Sequence, residues 1–237
     1  MNSETTFRLF GVAHIVVIAI AVGMPLALAV MTRRGTRRVP DRIVRWILVS
    51  ILVANYIGYA VYQLRAGSFR WQEALPFQLC DWTMFVVIVA LLTAGRPRWL
   101  EVAYFWGIGG TLQAVITPNL AFGFPDIRFF AFFAAHCGIA IGVLYLMVSR
   151  RFRPTVASIW RTLAWSEFYL VVTLFVDWMT GVNYGFLLHK PAAVSILDYL
   201  SDARAVYILQ LNALALVFFA LLYAPFAIAD LVNRQRA

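Results

Sequence analysis

The sequence predicts an all-α fold, a polytopic membrane bundle of about seven transmembrane helices with the N-terminus outside and the C-terminus inside. Hydrophobic residues fill 62% of the 237 positions and charged residues only 13%, against about 25% charged residues in soluble domains. The apolar residues are gathered into runs of roughly 20, the length at which a helix crosses a bilayer. We therefore expect residues 1–237 to form a single transmembrane domain.

Apolar length and flanking charge predict the individual spans. The expected ranges are 8–31, 43–64, 76–94, 99–117, 127–149, 156–179 and 205–229. Pro76 is expected to open the third span, in the first helical turn where proline is tolerated. Two connections are expected to have structure of their own: a turn region over 117–128, and a re-entrant or interfacial segment over 181–204.

The distribution of basic residues predicts the orientation. The net charge is +9, and arginines cluster in the connections "TRRGTRRVPDRIVR", "GRPR" and "SRRFRP" and in the C-terminal tail. They outnumber the basic residues on the opposite side, so the positive-inside rule assigns these loops to the cytoplasm. Their expected partner is anionic lipid headgroups, and no nucleic-acid binding is expected. "MNSETTFR" lacks the basic n-region of a cleavable signal peptide, so the first helix is expected to remain.

Polar side chains inside the spans mark a candidate site, because such groups are costly in a membrane and face the bundle interior or a cavity. In chain order they are His14, Asn55, Gln78, Cys80, Asp81, Gln113, His136, Glu167, Asp177, Gln210 and Asn212. Most fall in the outer half of their spans, which predicts a polar cavity open to the outer face. Each also has a plainer interpretation, as a small buried cysteine or as an interhelical hydrogen-bonding group.

Cys80 and His136 together indicate nucleophilic catalysis. A cysteine is a strong nucleophile as its thiolate, and a nearby imidazole can take its proton and return it to a leaving group. The two residues are far apart in the chain, so spacing alone leaves their pairing open. No metal site is expected, because the three histidines lack companion ligands at helical spacing. A disulfide between Cys80 and Cys137 is conceivable, although both fall within expected helices.

Five segments resemble a known family. They are "LPFQLCDWTMFVVIVALLT", "YFWGIGGTLQAVITPNL", "FPDIRFFAFFAAHCGIAIGVLYL", "RRFRPT" and "NYGFLLHKPAAVSILDYL". In this order, from about Leu75 to Pro225, they resemble the bacterial YwaF-like integral membrane proteins, relatives of the animal transmembrane protein 164 acyltransferases. The resemblance implies an enzyme of the bacterial inner membrane that moves a fatty acyl chain from a phospholipid to a lysophospholipid. It assigns the acyl-thioester to Cys80 and acid/base catalysis to His136, with no cofactor.

The remaining candidates are expected to bind the lipid substrate. The first span contributes a histidine that matches a family position, the outer loop contributes residues of the family pattern, and other side chains are possible oxyanion donors or phosphate ligands at the outer rim. They are Gln78, Asp81, His14, Gln113, Asn183, Tyr184, Lys190 and Arg128.

Gln78 is a departure from the family pattern. Family members commonly have a histidine two residues before the cysteine, and this chain has Gln78 before Cys80. On a regular helix the two side chains would point about 160° apart. That geometry favours a headgroup or structural role for position 78 over proton transfer.

Two other functions fit the same residues. A lipid hydrolase would use Cys80 and His136 in the same way, with water as the acyl acceptor. A non-enzymatic protein that binds, transports or senses a lipid or small molecule would use only the outer cavity. The sequence leaves these alternatives open, together with the oligomeric state and the acyl and headgroup preferences.

Overall fold

The structure, a computed structural model, describes residues 6–33, 39–191 and 195–235. Within these residues it consists of helices and loops, with an isolated antiparallel bridge between Thr6 and Phe122. A π turn (Gly107–Thr111) joins α4 to α5, and two short 3-10 turns (Tyr184–Phe186 and Ile196–Tyr199) lie in the connection before the last helix. The helices are α1 (Val12–Arg33), α2 (Asp41–Arg65), α3 (Leu79–Leu92), α4 (Pro97–Trp106), α5 (Leu112–Ile116), α6 (Ile127–Arg150), α7 (Val156–Thr180) and α8 (Arg204–Gln235).

Five of the described helices, α1, α2, α6, α7 and α8, are long and apolar enough to cross a membrane. The predicted helical membrane bundle is thereby confirmed. α3 is apolar but has only 14 residues, and the rod formed by α4, the π turn and α5 is interrupted in its middle. The predicted ranges of the five long helices agree with the structure to within a few residues, apart from the extension of α8 to Gln235.

The third helix begins later than the sequence predicts. The expectation that Pro76 opens it is wrong, because α3 starts at Leu79 and Gln78 is its N-cap with extended backbone (φ −67°, ψ 148°). Asp81 explains the start, since its carboxylate accepts a hydrogen bond from the Gln78 backbone N–H at 3.1 Å. This is the return contact of a capping box, which satisfies a donor at the helix entry.

Successive helical rods run in alternating directions, so the bundle has two distinct ends. We call the end with the arginine-rich connections the basic end, and the end with the connection after α7 the loop end. At the basic end, Arg150 of α6 contacts Asp41 of α2, and Arg153 contacts Asp230 of α8. At the loop end, the Tyr207 hydroxyl of α8 donates to the Phe186 carbonyl. The basic end contains the termini Arg33, Asp41, Leu92, Pro97, Arg150, Val156 and Gln235, and the loop end contains Val12, Arg65, Leu79, Ile116, Ile127, Thr180 and Arg204.

α6 lies at the centre and packs against α1, α2, α3 and the rod of α4 and α5. Two glycines bring its backbone close to its neighbours. A Cβ on Gly138 would stand 2.8 Å from Leu52 of α2, and a Cβ on Gly142 would stand 2.9 Å from Val87 of α3. Small residues at helix contacts are the usual way in which membrane helices pack closely. α7 packs on the other side, against α4 and α8.

A charged cluster around Asp41 fastens the basic end of the bundle. Its carboxylate accepts hydrogen bonds from the Tyr145 hydroxyl at 2.7 Å, Arg45 Nε at 2.9 Å and an Arg150 guanidinium nitrogen at 2.6 Å. Arg150 also donates to the Ala94 carbonyl at the end of α3, at 2.9 Å. One carboxylate therefore connects α2 with α6 and, through Arg150, with the turn that follows α3.

We expect Asp41→Asn to destabilise the bundle by about 2 kcal/mol, the range of a hydrogen bond to a charged group. The amide would lose the two charge-assisted bonds to arginine. The matched control is Asp230→Asn, whose ion pair with Arg153 is about half exposed (55% and 47%) and should matter by less than about 0.5 kcal/mol. Thermal unfolding of both variants in detergent measures this, and equal midpoints for the two would contradict a special role of Asp41.

Candidate functional site

Cys80 and His136 lie at the same level of the bundle, as the packing around Gly107 indicates. A Cβ on Gly107 would stand 3.8 Å from Thr83 of α3 and 3.6 Å from Ile139 of α6, so these two side chains flank one point. Cys80 lies three residues before Thr83, and His136 three residues before Ile139. Both helices run from the loop end to the basic end. Cys80 and His136 therefore lie at a similar height, about one turn nearer the loop end than Thr83 and Ile139.

The π turn borders this level. The segment Gly107–Thr111 packs against α3 and α6: a Cβ on Gly107 would stand 2.9 Å from Val143 of α6, and a Cβ on Gly110 would stand 3.5 Å from Leu79 of α3. π turns are rare and are found frequently at functional sites. The sequence "WGIGGT", with three glycines in an apolar run, is the signal that could have predicted an irregular helix here.

His136 is held in a defined orientation. Its Nδ1 lies 2.7 Å from the Phe132 carbonyl, and its ring stacks on the Phe132 ring with centroids 4.1 Å apart. A carbonyl can only accept, so Nδ1 carries the proton. In the neutral ring Nε2 is then unprotonated, which makes it the nitrogen that can accept a proton from a thiol.

The start of α3 is tied to the loop that follows α7. The Gln78 side-chain oxygen accepts from the Gly185 N–H at 3.1 Å, and the Tyr169 hydroxyl of α7 donates to the Phe77 carbonyl at 3.0 Å. Gly185 has a positive φ of 60°, and a Cβ there would stand 2.5 Å from the Tyr169 hydroxyl, so only glycine fits. Gln78 and Asp81 therefore shape the helix entry just before Cys80, and Tyr169 is a site neighbour that sequence reasoning did not identify.

α7 presents buried polar atoms beside this region. Among the described residues, the buried side-chain oxygens Thr162 Oγ1 and Asp177 Oδ2 have no hydrogen-bond partner, whereas the Thr173 hydroxyl pairs with the Tyr169 hydroxyl. The other Asp177 oxygen accepts from the Tyr184 N–H at 2.8 Å, and Tyr184 is itself buried, with its hydroxyl donating to the Gln72 carbonyl. Buried polar atoms normally have partners. Asp177, two turns beyond Tyr169, is therefore suited to meet a polar group that is not part of the chain.

His14 is fixed by the backbone on both sides. Its Nδ1 accepts from the Phe10 N–H at 3.0 Å, and its Nε2 lies 2.8 Å from the Val115 carbonyl, to which it must donate. The side chain is almost fully buried, with 1% exposed. Both ring nitrogens are thus engaged in joining α1 to α5.

Asn183 and Lys190 organise the loop itself. The Asn183 amide nitrogen lies within 3.0 Å of two His189 acceptors, and its oxygen accepts from the Leu188 N–H at 2.8 Å. The Lys190 ammonium donates to the Leu200 carbonyl at 2.8 Å and to Asp202 at 2.7 Å. These side chains join residues 183–190 of the loop to one another and to residues 200–202.

Arg128 and Gln113 lie at the rim. The Arg128 guanidinium binds the Asp126 carboxylate at 2.8 and 2.7 Å and stacks over the Phe122 ring. Asp126 is also the N-cap of α6 and accepts from the Arg128 N–H. Gln113 is exposed on α5. The structure thus gathers Gln78 and Asp81 around the start of α3, whereas Arg128, Gln113 and His14 lie on other elements.

Asp126 should show a measurable pH dependence. The Arg128 guanidinium lowers the pKa of this carboxyl from its ordinary 3.8 to about 2. A carboxyl with a lower pKa in the folded chain stabilises the fold above the ordinary value, and this contribution disappears as the pH falls from about 4 to about 2. We expect an NMR titration of the Asp126 side chain to give a midpoint near 2, and a higher midpoint in Arg128→Gln, which loses the guanidinium but keeps the backbone N–H bond to Asp126. A midpoint unchanged by the substitution would contradict the pairing.

The described residues contain no group of three or more histidine, cysteine, aspartate or glutamate side chains that could hold a metal ion. Cys80 and Cys137 are both free thiols, Cys80 half-buried and Cys137 buried. Two thiols on α3 and α6 are thus available for comparison, and only Cys80 has the polar surroundings of the helix entry.

A comparison with known protein families finds a match over most of the chain. The model of the TMEM164 family matches residues 9–223. This range includes Cys80, His136, the π turn and the loop after α7. No curated protein and no solved structure matches the chain.

Proposed function

The chain belongs to the TMEM164 family, and from this membership and the geometry of the site we propose that it is a lipid acyltransferase of a membrane. It moves a fatty acyl chain from a phospholipid to a lysophospholipid through a thioester on Cys80. The observation that supports this most is the orientation of His136, whose Nδ1 proton is engaged by the Phe132 carbonyl at 2.7 Å, so that Nε2 is left to act as base.

The proposed reaction has two halves. In the first, Cys80 Sγ bonds to the ester carbonyl carbon while its proton passes to His136 Nε2. The bond to the glycerol oxygen then breaks, and that oxygen takes the proton from His136 and leaves as a lysophospholipid hydroxyl. In the second half, the hydroxyl of another lysophospholipid gives its proton to His136 and attacks the thioester. The Cys80 sulfur leaves and recovers the proton.

The proposed membrane placement suits this chemistry. In this proposal the chain makes seven passes through the bilayer as one domain, with the basic end in the cytoplasm and the loop end outside, in the inner membrane of a bacterium. With 14 residues, α3 is about 21 Å long, shorter than the roughly 30 Å hydrocarbon core. Its start at Leu79 then lies about 9 Å below the outer edge of the hydrocarbon core, so the ester of the lipid would reach Cys80 by entering between the helices.

Gln78 is the oxyanion donor that we favour. The Gly185 N–H engages its side-chain oxygen, which fixes the amide at the helix entry and leaves its NH₂ group as the donor. The Asn183 amide is instead committed to His189. Asp177, whose buried Oδ2 has no partner among the described residues, is suited to bind a hydroxyl group of the lipid.

The experiment that tests this function is to trap the acyl-enzyme. The purified protein is incubated with a phospholipid that bears an alkyne-tagged acyl chain, denatured, and coupled to a fluorophore. We expect a labelled band that neutral hydroxylamine removes, that is absent in Cys80→Ala and that is retained in Cys137→Ala. Labelling of Cys80→Ala at the wild-type level would refute the proposal. If added lysophospholipid receives no label and free tagged fatty acid accumulates, the protein is a hydrolase.

A further inference from the structure

A groove of about 450 Å³ lies between α4 and α7, and its charged part is near the basic end, away from the candidate site. The lining side chains change from charged to aromatic along it. Arg161 is about two turns of α7 nearer the basic end than Tyr169, or about 12 Å along the axis. The groove is lined by Arg98, Glu101, Val102, Arg161, Trp165 and Phe168.

The charged part of the groove contains guanidinium N–H groups that are not bonded to Glu101. Arg161 donates to both Glu101 oxygens, at 2.7 and 2.6 Å, with the Glu101 side chain 8% exposed and that of Arg161 46% exposed. A guanidinium has five N–H donors, so Arg161 is oriented by Glu101 and still has N–H groups that are not bonded to it. Arg98 is exposed, and its guanidinium has no hydrogen-bond or ion-pair partner among the described residues. The groove therefore has a net positive charge of one and two guanidinium groups.

The aromatic part continues towards the middle of the bundle. Trp165 is 40% exposed and Phe168 is 53% exposed. Their rings are 5.9 Å apart, and Phe168 lies 5.9 Å from Trp82 of α3. Phe168 is about 10 Å along the helix axis from Arg161. A cationic end followed by a tryptophan and an apolar wall is the arrangement that a headgroup and the first part of an acyl chain require.

We propose that this groove is a binding site for an anionic phospholipid in the leaflet at the basic end. The phosphate is bound by Arg98 and by the outward face of Arg161, and one acyl chain lies along Trp165 and Phe168. Glu101 positions Arg161 and does not contact the lipid. Charge complementarity selects the ligand, because a zwitterionic headgroup brings no net charge to the groove. The site does not depend on the proposed acyl transfer at Cys80.

Trp165 provides a built-in reporter for this site. The protein is reconstituted in phosphatidylcholine vesicles, and its fluorescence is titrated with phosphatidylglycerol brominated on the acyl chain. The signal of interest is the part of the quenching that disappears in Trp165→Phe. We expect strong quenching by the anionic lipid and weak quenching by brominated phosphatidylcholine. For Arg98→Gln the half-quenching amount should rise about five-fold, the effect of one basic residue near a charged membrane surface.

Two controls separate the outcomes. Arg42→Gln changes an exposed arginine at the same end of the bundle, beside Trp46 in a different groove on α2, and should leave the Trp165 signal unchanged. The double variant Glu101→Gln/Arg161→Gln avoids a buried unpaired carboxylate and should weaken quenching as Arg98→Gln does. Equal quenching by the two lipids, or no change in Arg98→Gln, would overturn the proposal. Displacement by inorganic phosphate alone would overturn the assignment to a lipid.

Discussion

Replacing His136 by alanine is expected to slow acyl transfer by about 10²- to 10⁴-fold, the usual contribution of a positioned general base. The substitution removes Nε2, which we propose takes the proton of Cys80. The stacking partner Phe132 and the small residues of α6 remain, so the helix should keep its place. Rates of transfer from a labelled phospholipid to a lysophospholipid, measured across a range of pH, test this expectation.

Two further measurements make the His136 result specific. Alkylation of Cys80 by iodoacetamide should also slow in His136→Ala, whereas Cys137 should react as in the wild type. The comparison variant is His14→Ala, because both ring nitrogens of His14 are bonded to backbone groups. It should lower thermal stability and leave the shape of the pH profile unchanged. A His136→Ala protein with the wild-type rate would exclude His136 as the base.

Gly107→Leu is expected to destabilise the protein by about 3 kcal/mol or more, as overpacking of a close helix contact does. A Cβ at this position would already stand 2.9 Å from Val143 of α6. The remaining leucine atoms would push α4 away from α6 and disturb the level of Cys80 and His136. The expected result is a marked fall in the midpoint of thermal unfolding together with a loss of activity.

Gly58→Leu is the matched control for Gly107→Leu, and Val143→Ala is the compensating substitution for Gly107→Ala. A Cβ on Gly58 of α2 would meet nothing within 4 Å, so Gly58→Leu should be neutral or slightly stabilising through its helix propensity. Gly107→Ala should cost less than Gly107→Leu, and Val143→Ala in the same chain should recover part of that cost. If Gly58→Leu and Gly107→Leu behave alike, the contact at Gly107 is not a close one.

The sequence predicted the helical membrane bundle because the physics of long helices is local. Runs of about 20 apolar residues can satisfy their backbone hydrogen bonds in a membrane only as helices, so α1, α2, α6, α7 and α8 could be predicted from length and composition. The start of α3 could not, because it depends on the Asp81 carboxylate reaching the Gln78 N–H. A hydropathy pattern contains no information about that contact.

The candidate site was harder to predict than the fold. The sequence identified Cys80 as a candidate nucleophile and His136 as a candidate base. Their similar height in the bundle is inferred from the packing of Thr83 and Ile139 around Gly107. Long-range bonds also change the interpretation of individual polar residues. Glu101 was not singled out, yet it is buried against Arg161 sixty positions away. Such pairs depend on which helices become neighbours, and a single sequence does not specify this.

The π turn has a consequence for how chain length can vary in this family. A π turn holds one residue more than an α turn, so every residue after it is rotated by about 100° relative to an uninterrupted helix. With that offset, the Val115 carbonyl faces His14 at 2.8 Å. Deleting a single residue between Gly107 and Thr111 would turn the carbonyl away and leave the imidazole without its acceptor. A gap of one residue in "WGIGGT" should therefore be accompanied, in any homologous chain, by a different residue at the position of His14.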